Sequence, residues 1–359
     1  MKYGLSEISR IVGGEHLGKD AVITGVFVDS RTGVNDSGAL FVALKGARHD
    51  GHRYIGELYA KGIRSFLVNR SFPAGDFAEA NFVVADDTLK AMQNLAADYR
   101  NSFAFPVLGI TGSNGKTCVK EWLYRIFRDL ETVARSPKSY NSQTGVPLSV
   151  LMTDADAGLG IFEAGISMPD EMERLERILH PDIGIFTNTG DAHQENFKSE
   201  EHKINEKLQL FKSSNLLIYC SDYAALHKTV SESEHPYRTF TWGYGEECNL
   251  RILNRRSFPD RTILSIEARD SDSGIETAKR YEFEIPFSDS ASVENAMHCI
   301  AFALIRGVDV GLLSAKLQNL TPVAMRLELK EGVNHCTIIN DSYNSDVNSL
   351  TIALDFLDG

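Results

Sequence analysis

One stretch of the sequence decides the fold: Gly109-Ile110-Thr111-Gly112-Ser113-Asn114-Gly115-Lys116-Thr117. An apolar run over residues 107–111 predicts a buried strand that leads into it. An amphipathic helix is predicted to follow, because apolar residues recur at the spacing of one helix face, at Val119, Trp122, Leu123, Ile126, Phe127 and Leu130. Strand, glycine-rich loop and helix in this order are typical of a phosphate-binding loop.

The residues of this loop suit a nucleoside triphosphate. Gly112 and Gly115 let the backbone N–H groups of the loop turn toward phosphate oxygens, and the helix N-terminus adds partial positive charge. Lys116 is placed to reach the terminal phosphates, and the Thr117 hydroxyl can ligate Mg²⁺.

One position departs from the common form of the motif. In the common form a glycine lies five positions before the Gly-Lys pair, and here that position is Ile110. The loop therefore fits a shorter Gly-x-x-Gly-Lys-Thr variant better. The alternative interpretation is a glycine-rich turn with an incidental lysine.

Short apolar runs alternate with helical patterns after the loop. The runs cover residues 159–162, 183–187 and 216–219. A more β-like stretch over residues 237–287 precedes a helical pattern over residues 292–305. Strands that alternate with helices predict a mostly parallel sheet covered by helices, and such sheets bind ligands at the carboxyl ends of their strands.

Polar residues follow two of these runs. Glu163 ends the first run, where a carboxylate can bind the Mg²⁺ that bridges ATP phosphates. The segment Asn188–His193 follows the second run at the same expected edge, and its alternative role is a helix cap or turn. Lys203 and Lys207 lie one turn apart on a predicted helix, where lysines are usually solvated.

Three regimes of composition divide the chain. Short β-like runs over residues 22–84, a helical pattern over 87–99 and a linker near 105 indicate a small α/β domain. We expect a first domain over 1–105, a central domain over 106–324 and the start of a third α/β domain over 325–359. About 35 residues cannot complete a core, so the expectation is a chain truncated inside its third domain.

The composition limits the classes of protein. At about 150 residues per domain, 359 residues predict two to three domains. The 37 Lys and Arg against 49 Asp and Glu give a net charge of −12, which disfavours nucleic acid as a partner. The sequence predicts neither a membrane span nor a secretory signal, so a cytoplasmic location is expected. The five scattered cysteines predict reduced, mostly buried thiols.

Together these motifs resemble the Mur ligase family, the cytoplasmic ATP-dependent amide-forming enzymes of peptidoglycan precursor synthesis. The resemblance rests on the phosphate loop and on three later motifs, Glu163-Ala164-Gly165, Asn188–His193 and Lys207-Leu208. Further motifs resemble the members that add D-alanyl-D-alanine to UDP-N-acetylmuramoyl-tripeptide: Asp29-Ser30-Arg31, Phe41-Val42-Ala43-Leu44-Lys45-Gly46, Asn141-Ser142-Gln143-Thr144-Gly145-Val146-Pro147 and Asn340-Asp341-Ser342-Tyr343-Asn344-Ser345.

The resemblance implies a role for each matching residue. The positions implied for the UDP-bearing substrate and its muramoyl peptide are Ser30, Arg31, Lys45, Asn141 and Thr144. The positions implied for ATP are Gly112, Ser113, Asn114, Gly115, Lys116, Thr117, Asn295, His298, Arg326 and Asp341, the last beside Tyr343 and Asn344. The implied catalytic positions are Lys116, Glu163, His193 and Lys207. Thr117, Glu163 and His193 would hold Mg²⁺, together with Lys207 if it is carbamylated, because a carbamate is an oxygen-donor anion.

The implied reaction uses ATP and Mg²⁺ to activate the free carboxylate of the UDP-muramoyl tripeptide as an acyl phosphate. The amine of D-alanyl-D-alanine then displaces phosphate. Activation is needed because the negative charge of a carboxylate repels nucleophiles, and cations near the transferring group offset that repulsion. Nucleic acid and membrane are not expected partners, and a chain truncated in its third domain is expected to have little or no activity alone.

Two motifs depart from the family pattern. Gln194-Glu195-Asn196 follows His193 where Leu-Glu-Gly is usual, and Ser345-Asp346-Val347 stands where Ala-Asn-Pro is usual. The first variant resembles a subgroup whose ligase is often fused to a C-terminal alanine racemase, which implies such a fusion beyond Gly359.

Three alternatives stay open from the sequence. A sister ligase of the family would add a single amino acid, and a folylpolyglutamate synthetase-like ligase would share the central domain. A nucleotide-binding module without turnover would need no acyl acceptor. The motif Asp29-Ser30-Arg31 disfavours the folate enzyme, and the lack of an Asn-Lys-x-Asp sequence disfavours a guanine-nucleotide switch.

Overall fold

The computed structural model describes residues 1–32, 38–46, 49–190, 194–234, 237–269, 278–324, 328–331, 333 and 336–340. The chain forms two compact units. Unit 1 comprises Met1–Phe105, Tyr140–Ala157 and Arg177–Leu179, and unit 2 comprises Pro106–Ser139, Gly158–Glu176 and His180–Gly359.

The helices and strands of the first 105 residues are short. In chain order they are β1 (Tyr3–Gly4), α1 (Leu5–Val12), β2 (Glu15–Leu17), β3 (Val22–Ile23), β4 (Gly25–Phe27), β5 (Ala39–Val42), α2 (Ile55–Ala60), β6 (Ser65–Asn69), β7 (Asn81–Ala85) and α3 (Thr88–Arg100).

The remaining elements begin with the strand that precedes the glycine-rich loop. They are β8 (Val107–Thr111), α4 (Lys116–Phe127), β9 (Val133–Arg135), α5 (Gly145–Leu151), β10 (Leu159–Glu163), α6 (Met172–Leu179), β11 (Ile183–Phe186), α7 (Glu200–Leu208), β12 (Leu216–Cys220), α8 (Ala224–Glu232), β13 (Arg238–Gly243), β14 (Leu250–Ser257), β15 (Thr262–Ala268), β16 (Lys279–Ile285), α9 (Ser290–Ile305), α10 (Val310–Gln318), β17 (Glu328–Glu331) and β18 (Thr337–Asn340). Single 3-10 turns lie at Gly51–Tyr54, Ala74–Asp76, Gln194–Asn196 and Gln209–Phe211.

Unit 1 is built on a sheet with the strand order β2-β7-β6-β5-β4. Strands β4 to β7 run parallel, and β2 pairs antiparallel at the edge. Aromatic side chains fill its core, with the rings of Phe66 and Phe82 stacked 5.5 Å apart. Ile55 and Leu58 of α2 are buried in the same core. A small α/β unit is the result, as the sequence predicts.

Helix α5 belongs to unit 1, although it lies between β9 and β10 in the chain. All seven of its residues are buried, and it packs on α3. The Tyr99 hydroxyl on α3 donates a hydrogen bond to the Thr153 carbonyl over 2.8 Å. A helix that is apolar all round needs cover on every side, and α3 provides part of it.

Unit 2 is built on a sheet with the order β16-β15-β14-β13-β12-β11-β8-β10-β9. The strands from β9 to β14 are parallel, while β15 and β16 extend the sheet in antiparallel fashion. Strand β8 lies between β10 and β11, at the point where the chain switches from one side of the sheet to the other. Ligands of open parallel sheets bind at the carboxyl ends of the strands around such a switch point.

The predicted α/β class with a mostly parallel, helix-covered sheet is confirmed. Helices α4 and α9 pack against each other and share the core of unit 2. Helix α9 begins at Ser290, two residues before the predicted start, because the Asp289 carboxylate caps it by accepting the Ser292 N–H over 2.7 Å. The helix predicted near residues 349–357 lies outside the described residues.

All five cysteines lie among the described residues, and each is a free thiol. Cys220, Cys248 and Cys299 are buried, whereas Cys118 is partly exposed and Cys336 is exposed. Over the described ranges, no helix is both long and apolar enough to cross a membrane.

Candidate active site

The glycine-rich loop connects β8 to α4 in unit 2 and depends on two left-handed glycines. Gly112 has φ +138° and Gly115 has φ +81°, a region that side chains with a Cβ rarely adopt. A Cβ on Gly112 would overlap the Thr187 hydroxyl, and one on Gly115 would overlap the Asn295 side-chain oxygen. Both positions therefore require glycine for conformation and for space.

Lys116 begins α4 and folds back over this loop. Its Nζ donates to the Gly112 carbonyl over 2.8 Å and to the Ser113 carbonyl over 2.9 Å. The ammonium therefore lies over the loop at the N-terminus of a helix, where anions are favoured.

Glu163 ends β10, next to β8, and its carboxylate is buried. Thr117 Oγ1 donates to Glu163 Oε2 over 2.9 Å, and Lys120 Nζ lies 3.2 Å from Glu163 Oε1. Ser139 Oγ lies 3.0 Å from Thr117 Oγ1. Three oxygen-bearing side chains thus meet beside the start of α4.

The loop after β11 is hydrogen-bonded to the glycine-rich loop. The Ser113 N–H donates to the Asn188 carbonyl over 3.0 Å, and the Asn114 N–H donates to Asn188 Oδ1 over 2.9 Å. Ser113 Oγ accepts the Gly190 N–H over 2.9 Å. Asn188 therefore fixes the glycine-rich loop by two hydrogen bonds and does not cap a helix.

Two lysines of α7 are buried at the same place. Lys207 Nζ donates to Ser113 Oγ over 3.0 Å, and Lys203 Nζ donates to the Gly190 carbonyl. Burial lowers the pKa of the Lys207 ammonium well below its usual range, and the charges of Lys116 and Lys203 lower it further. The alternative of solvated surface lysines is therefore wrong for this helix face.

Helix α9 contributes Asn295 and His298. Asn295 is buried, and its side-chain oxygen lies beside Gly115. His298 is fully buried: its Nε2 lies 2.8 Å from the Thr187 carbonyl, and its Nδ1 accepts the Trp242 Nε1–H over 3.1 Å. Burial lowers the pKa of His298 to about 4, so the ring is neutral at neutral pH. Both ring nitrogens bind groups of this chain, and the adenine role predicted for His298 stays a prediction.

The structure brings together most of the residues predicted for ATP and Mg²⁺. They are Gly112, Ser113, Asn114, Gly115, Lys116, Thr117, Glu163, Lys207, Asn295 and His298, all in unit 2. The predicted positions His193, Arg326 and Asp341, with Tyr343 and Asn344, lie outside the described residues. Lys120 was not among the residues predicted for the site. Its place three residues after Thr117, which puts both side chains on one face of α4, is the signal that could have identified it.

The residues predicted for the UDP-bearing substrate all belong to unit 1. They are Ser30, Arg31, Lys45, Asn141 and Thr144. Arg31 is exposed and forms a local ion pair in which its Nη2 donates to Asp29 Oδ2 over 2.7 Å. Hydrogen bonds from Arg31 lower the pKa of the Asp29 carboxyl to about 2. Lys45 is also exposed and pairs with Asp50 through the backbone, and Thr144 precedes the first residue of α5.

Two families of protein domains match this chain. Residues 110–303 match the Mur ligase middle domain, and residues 22–100 match the Mur ligase family catalytic domain. The first match alone covers the loop residues 112–117, Glu163, Lys207 and α9 as far as residue 303.

Individual relatives agree with these matches. The UDP-N-acetylmuramoyl-tripeptide–D-alanyl-D-alanine ligase of Bacillus subtilis is 31% identical over 339 residues, covering 94% of this chain and 70% of that protein. The structure of MurF from Acinetobacter baumannii has a TM-score of 0.85 at 23% identity and matches 99% of this chain and 76% of its own. MurF ligase from Thermotoga maritima in complex with ADP has a TM-score of 0.78 at 25% identity, over 93% of this chain and 74% of its own.

Proposed function

This chain belongs to the Mur ligase family, and from that premise we propose that it joins D-alanyl-D-alanine to UDP-N-acetylmuramoyl-tripeptide at the expense of ATP. The observation that carries this proposal is the 31% identity to the Bacillus subtilis ligase, whose name states that activity. The family's enzymes work in the cytoplasm on soluble precursors of peptidoglycan, and we propose the same location here.

The proposed chemistry begins with transfer of the γ-phosphoryl group of ATP to the terminal carboxylate of the tripeptide, which gives an acyl phosphate and ADP. The amine of D-alanyl-D-alanine then attacks the acyl carbon, forms the amide bond, releases phosphate and loses one proton. The glycine-rich loop would bind the phosphates through backbone N–H groups, and Lys116 would offset their charge as the phosphoryl group moves. Positioning and electrostatics, rather than a covalent nucleophile, account for the catalysis.

The oxygen atoms around Glu163 fit a Mg²⁺ ion. Mg²⁺ is usually held by one or two carboxylates together with substrate phosphates. Thr117 Oγ1 and the buried Glu163 carboxylate provide such a set, 2.9 Å apart, at the N-terminus of α4. In the described part of the chain, no group of three or more His, Cys, Asp and Glu side chains is arranged so that it could hold a metal ion. When bound, the ion would neutralise phosphate charge, with His193 as a further proposed ligand.

Lys207 is the proposed site of a carbamate. Its depressed pKa favours the neutral amine, which is the form that can attack CO2, lose a proton and become an oxygen-donor anion. The donor contact to Ser113 Oγ keeps this nitrogen beside the glycine-rich loop. We assign Asn295, His298, Arg326 and Asp341 to the ATP side of the site on family resemblance.

The substrate side of the proposal rests on unit 1. The exposed guanidinium of Arg31 and the exposed Lys45 can offer cations to the diphosphate of the UDP-bearing substrate, with Ser30 beside them. Asn141 and Thr144 are the proposed contacts to the muramoyl peptide. The division into domains over 1–105, 106–324 and 325–359 remains a proposal, with Tyr140–Ala157 and Arg177–Leu179 of the central range belonging to unit 1.

One assay tests the substrate and the reaction together. The complete natural protein is incubated with ATP, Mg²⁺, UDP-N-acetylmuramoyl-tripeptide and an amine, and both ADP and the mass of the product are measured. We expect one ADP for each amide formed, and only with D-alanyl-D-alanine. Product formation with a single amino acid, or with a folate carboxylate, would instead identify a sister or folate-type ligase. Nucleotide binding without ADP release under all conditions would favour a binding module.

A further inference from the structure

Lys120 is a buried cation that the proposed mechanism does not use. It lies on α4, four residues after Lys116 and three after Thr117, so all three side chains extend from neighbouring turns of one helix. Its side chain has no solvent exposure. A lysine is almost never fully buried unless its charge is paired.

The Lys120 ammonium is surrounded by oxygen atoms of unit 2. Its Nζ donates to the Ser136 carbonyl over 2.8 Å, to the Lys138 carbonyl, and to Glu163 Oε1 over 3.2 Å. Glu121 Oε1 also lies 3.2 Å away. An ammonium has three N–H donors, so these groups of the chain use all of them. The ammonium of Lys120 therefore binds groups of the protein, whereas a ligand-binding lysine directs its donors to the ligand.

Two of the oxygen atoms around Lys120, the carbonyls of Ser136 and Lys138, belong to a loop that contacts Glu163. This loop, Ser136–Ser139, follows β9, and Ser136 Oγ accepts the Glu163 N–H over 3.2 Å. Lys138 has φ +49°, a left-handed conformation that costs energy in a residue other than glycine and must be held by its surroundings. The hydrogen bond from Lys120 to the Lys138 carbonyl stabilises this backbone conformation, and it keeps Ser139 beside Thr117.

The two oxygens of Glu163 therefore have different tasks. Oε1 accepts a hydrogen bond from Lys120, and Oε2 accepts one from the Thr117 hydroxyl. A carboxylate with one oxygen fixed by a buried ammonium keeps its orientation when a cation approaches the other oxygen. Without Lys120, the buried carboxylate would lose the ammonium that faces it.

We propose that Lys120 is a positioning residue that orients Glu163 for the Mg²⁺ that accompanies the nucleotide. The inference rests on the proposed function for the identity of the ion and the nucleotide. It adds a residue whose effect on the metal is exerted through Glu163, without contact to the substrate.

The test compares ADP binding in excess Mg²⁺ with ADP binding in EDTA, by titration calorimetry. The ratio of the two dissociation constants isolates what the metal contributes. In Lys120→Gln, an amide can still donate to the loop carbonyls but the charge is lost. We expect the metal contribution to fall about 10- to 100-fold, the usual effect of removing a partner of a metal ligand, and the dissociation constant in EDTA to change by less than about threefold.

Arg128→Gln is the matched control, because it removes one positive charge just after the same helix at an exposed position. It should leave both dissociation constants unchanged. If Lys120→Gln weakens binding equally with and without Mg²⁺, or changes neither, Lys120 has a merely structural role and the proposal is overturned.

A double variant keeps the proposal testable if Lys120→Gln does not fold. In Lys120→Gln/Glu163→Gln neither buried charge remains unpaired. Recovery of cooperative unfolding in the double variant supports a role through Glu163, whereas failure to recover places the role in the loop carbonyls and overturns the proposal. These readouts need no amide formation, so they are independent of whether D-alanyl-D-alanine is the acceptor.

Discussion

The site around Glu163 in unit 2 and the Asp29–Arg31 turn in unit 1 each pair a cation with a carboxylate, in opposite surroundings. Lys120 and Glu163 are completely buried and come from positions 43 residues apart in the chain. Arg31 has 86% of its side chain exposed, and its partner lies two residues away. The first pair is part of a fixed network, and the second is a local contact that a ligand can displace.

The difference predicts how the two regions would bind the ligands proposed for them. A buried network holds its groups in place before the ligand arrives, so little reorganisation is needed when charge develops. An exposed arginine contributes little to folding and keeps its donors available for a phosphate. We therefore expect substitutions in unit 2 to affect folding and turnover, and substitutions at the Asp29–Arg31 turn to affect affinity alone.

The largest effect on folding should come from the buried pair. Lys120→Met is expected to lower the free energy of unfolding by about 3–5 kcal/mol, because it breaks a fully buried ion pair by removing one partner. The exposed pair of Lys61 and Glu57 provides the comparison, since Lys61→Met should cost only about 0.3–0.5 kcal/mol. Urea denaturation of both variants measures the difference, and equal losses would remove the contrast between buried and exposed pairs.

The largest effect on turnover should come from Lys116. Lys116→Ala is expected to lower kcat by about 10²- to 10³-fold, because it removes a cation from the place where phosphate charge develops. The exposed Lys228 offers a matched control, and Lys228→Ala should retain normal turnover. Steady-state release of ADP measures both variants. A Lys116→Ala enzyme with normal kcat would show that the glycine-rich loop does not serve the phosphates.

His298 extends the comparison to pH. The unfolded chain binds a proton at this residue below about pH 6.5, whereas the buried ring does not until about pH 4. The stability that the neutral ring contributes is therefore complete above pH 6.5 and lost as the pH falls toward 4, by about 3 kcal/mol in all. Denaturation curves of the wild type and His298→Gln at several pH values should converge as the pH falls. Parallel curves over this range would contradict a neutral buried ring.

The smallest effect on folding is expected at Arg31. Arg31→Ala should leave the thermal midpoint unchanged, because the guanidinium is exposed and its ion pair is local. The KM for the UDP-bearing substrate should rise about tenfold while kcat stays near its normal value, as is typical when uniform binding is lost. Arg10, a basic residue in the last turn of α1, is a control whose alanine variant should change neither parameter. A fall in kcat would mean that Arg31 also acts on the reacting groups.

The sequence predicted which residues meet around the glycine-rich loop because the signals there are local, and their ATP roles stay predictions. A strand, two glycines, a lysine and a threonine all lie within residues 107–117. The carboxyl ends of the neighbouring strands bring Glu163 and Asn188 to the same edge. Lys120 was missed because its partners at Ser136 and Glu163 are 16 and 43 residues away, and no local pattern marks a lysine that will be buried. The burial of Lys203 likewise has no local pattern in the sequence, where a lysine on a helix is expected to be solvated.

The grouping of α5 with unit 1 could not be predicted from the sequence either. A composition shift near residue 105 divides the chain once, and the apolar run of α5 is equally consistent with either core. The hydrogen bonds from α3, which join Tyr99 to Thr153 and Gln93 to Gln143, are tertiary contacts without a sequence signature.

Because the chain returns to unit 1 at Tyr140–Ala157, unit 1 cannot be exchanged between members of this family as one continuous segment. A chimera that replaces residues 1–105 alone would place a foreign α3 against the native α5, two surfaces that had no opportunity to adapt to each other. A graft that exchanges unit 1 must therefore carry the Tyr140–Ala157 and Arg177–Leu179 segments along with the N-terminal one. Recombination at a single crossover point is disfavoured, and substitutions in α3 and α5 should co-vary among relatives.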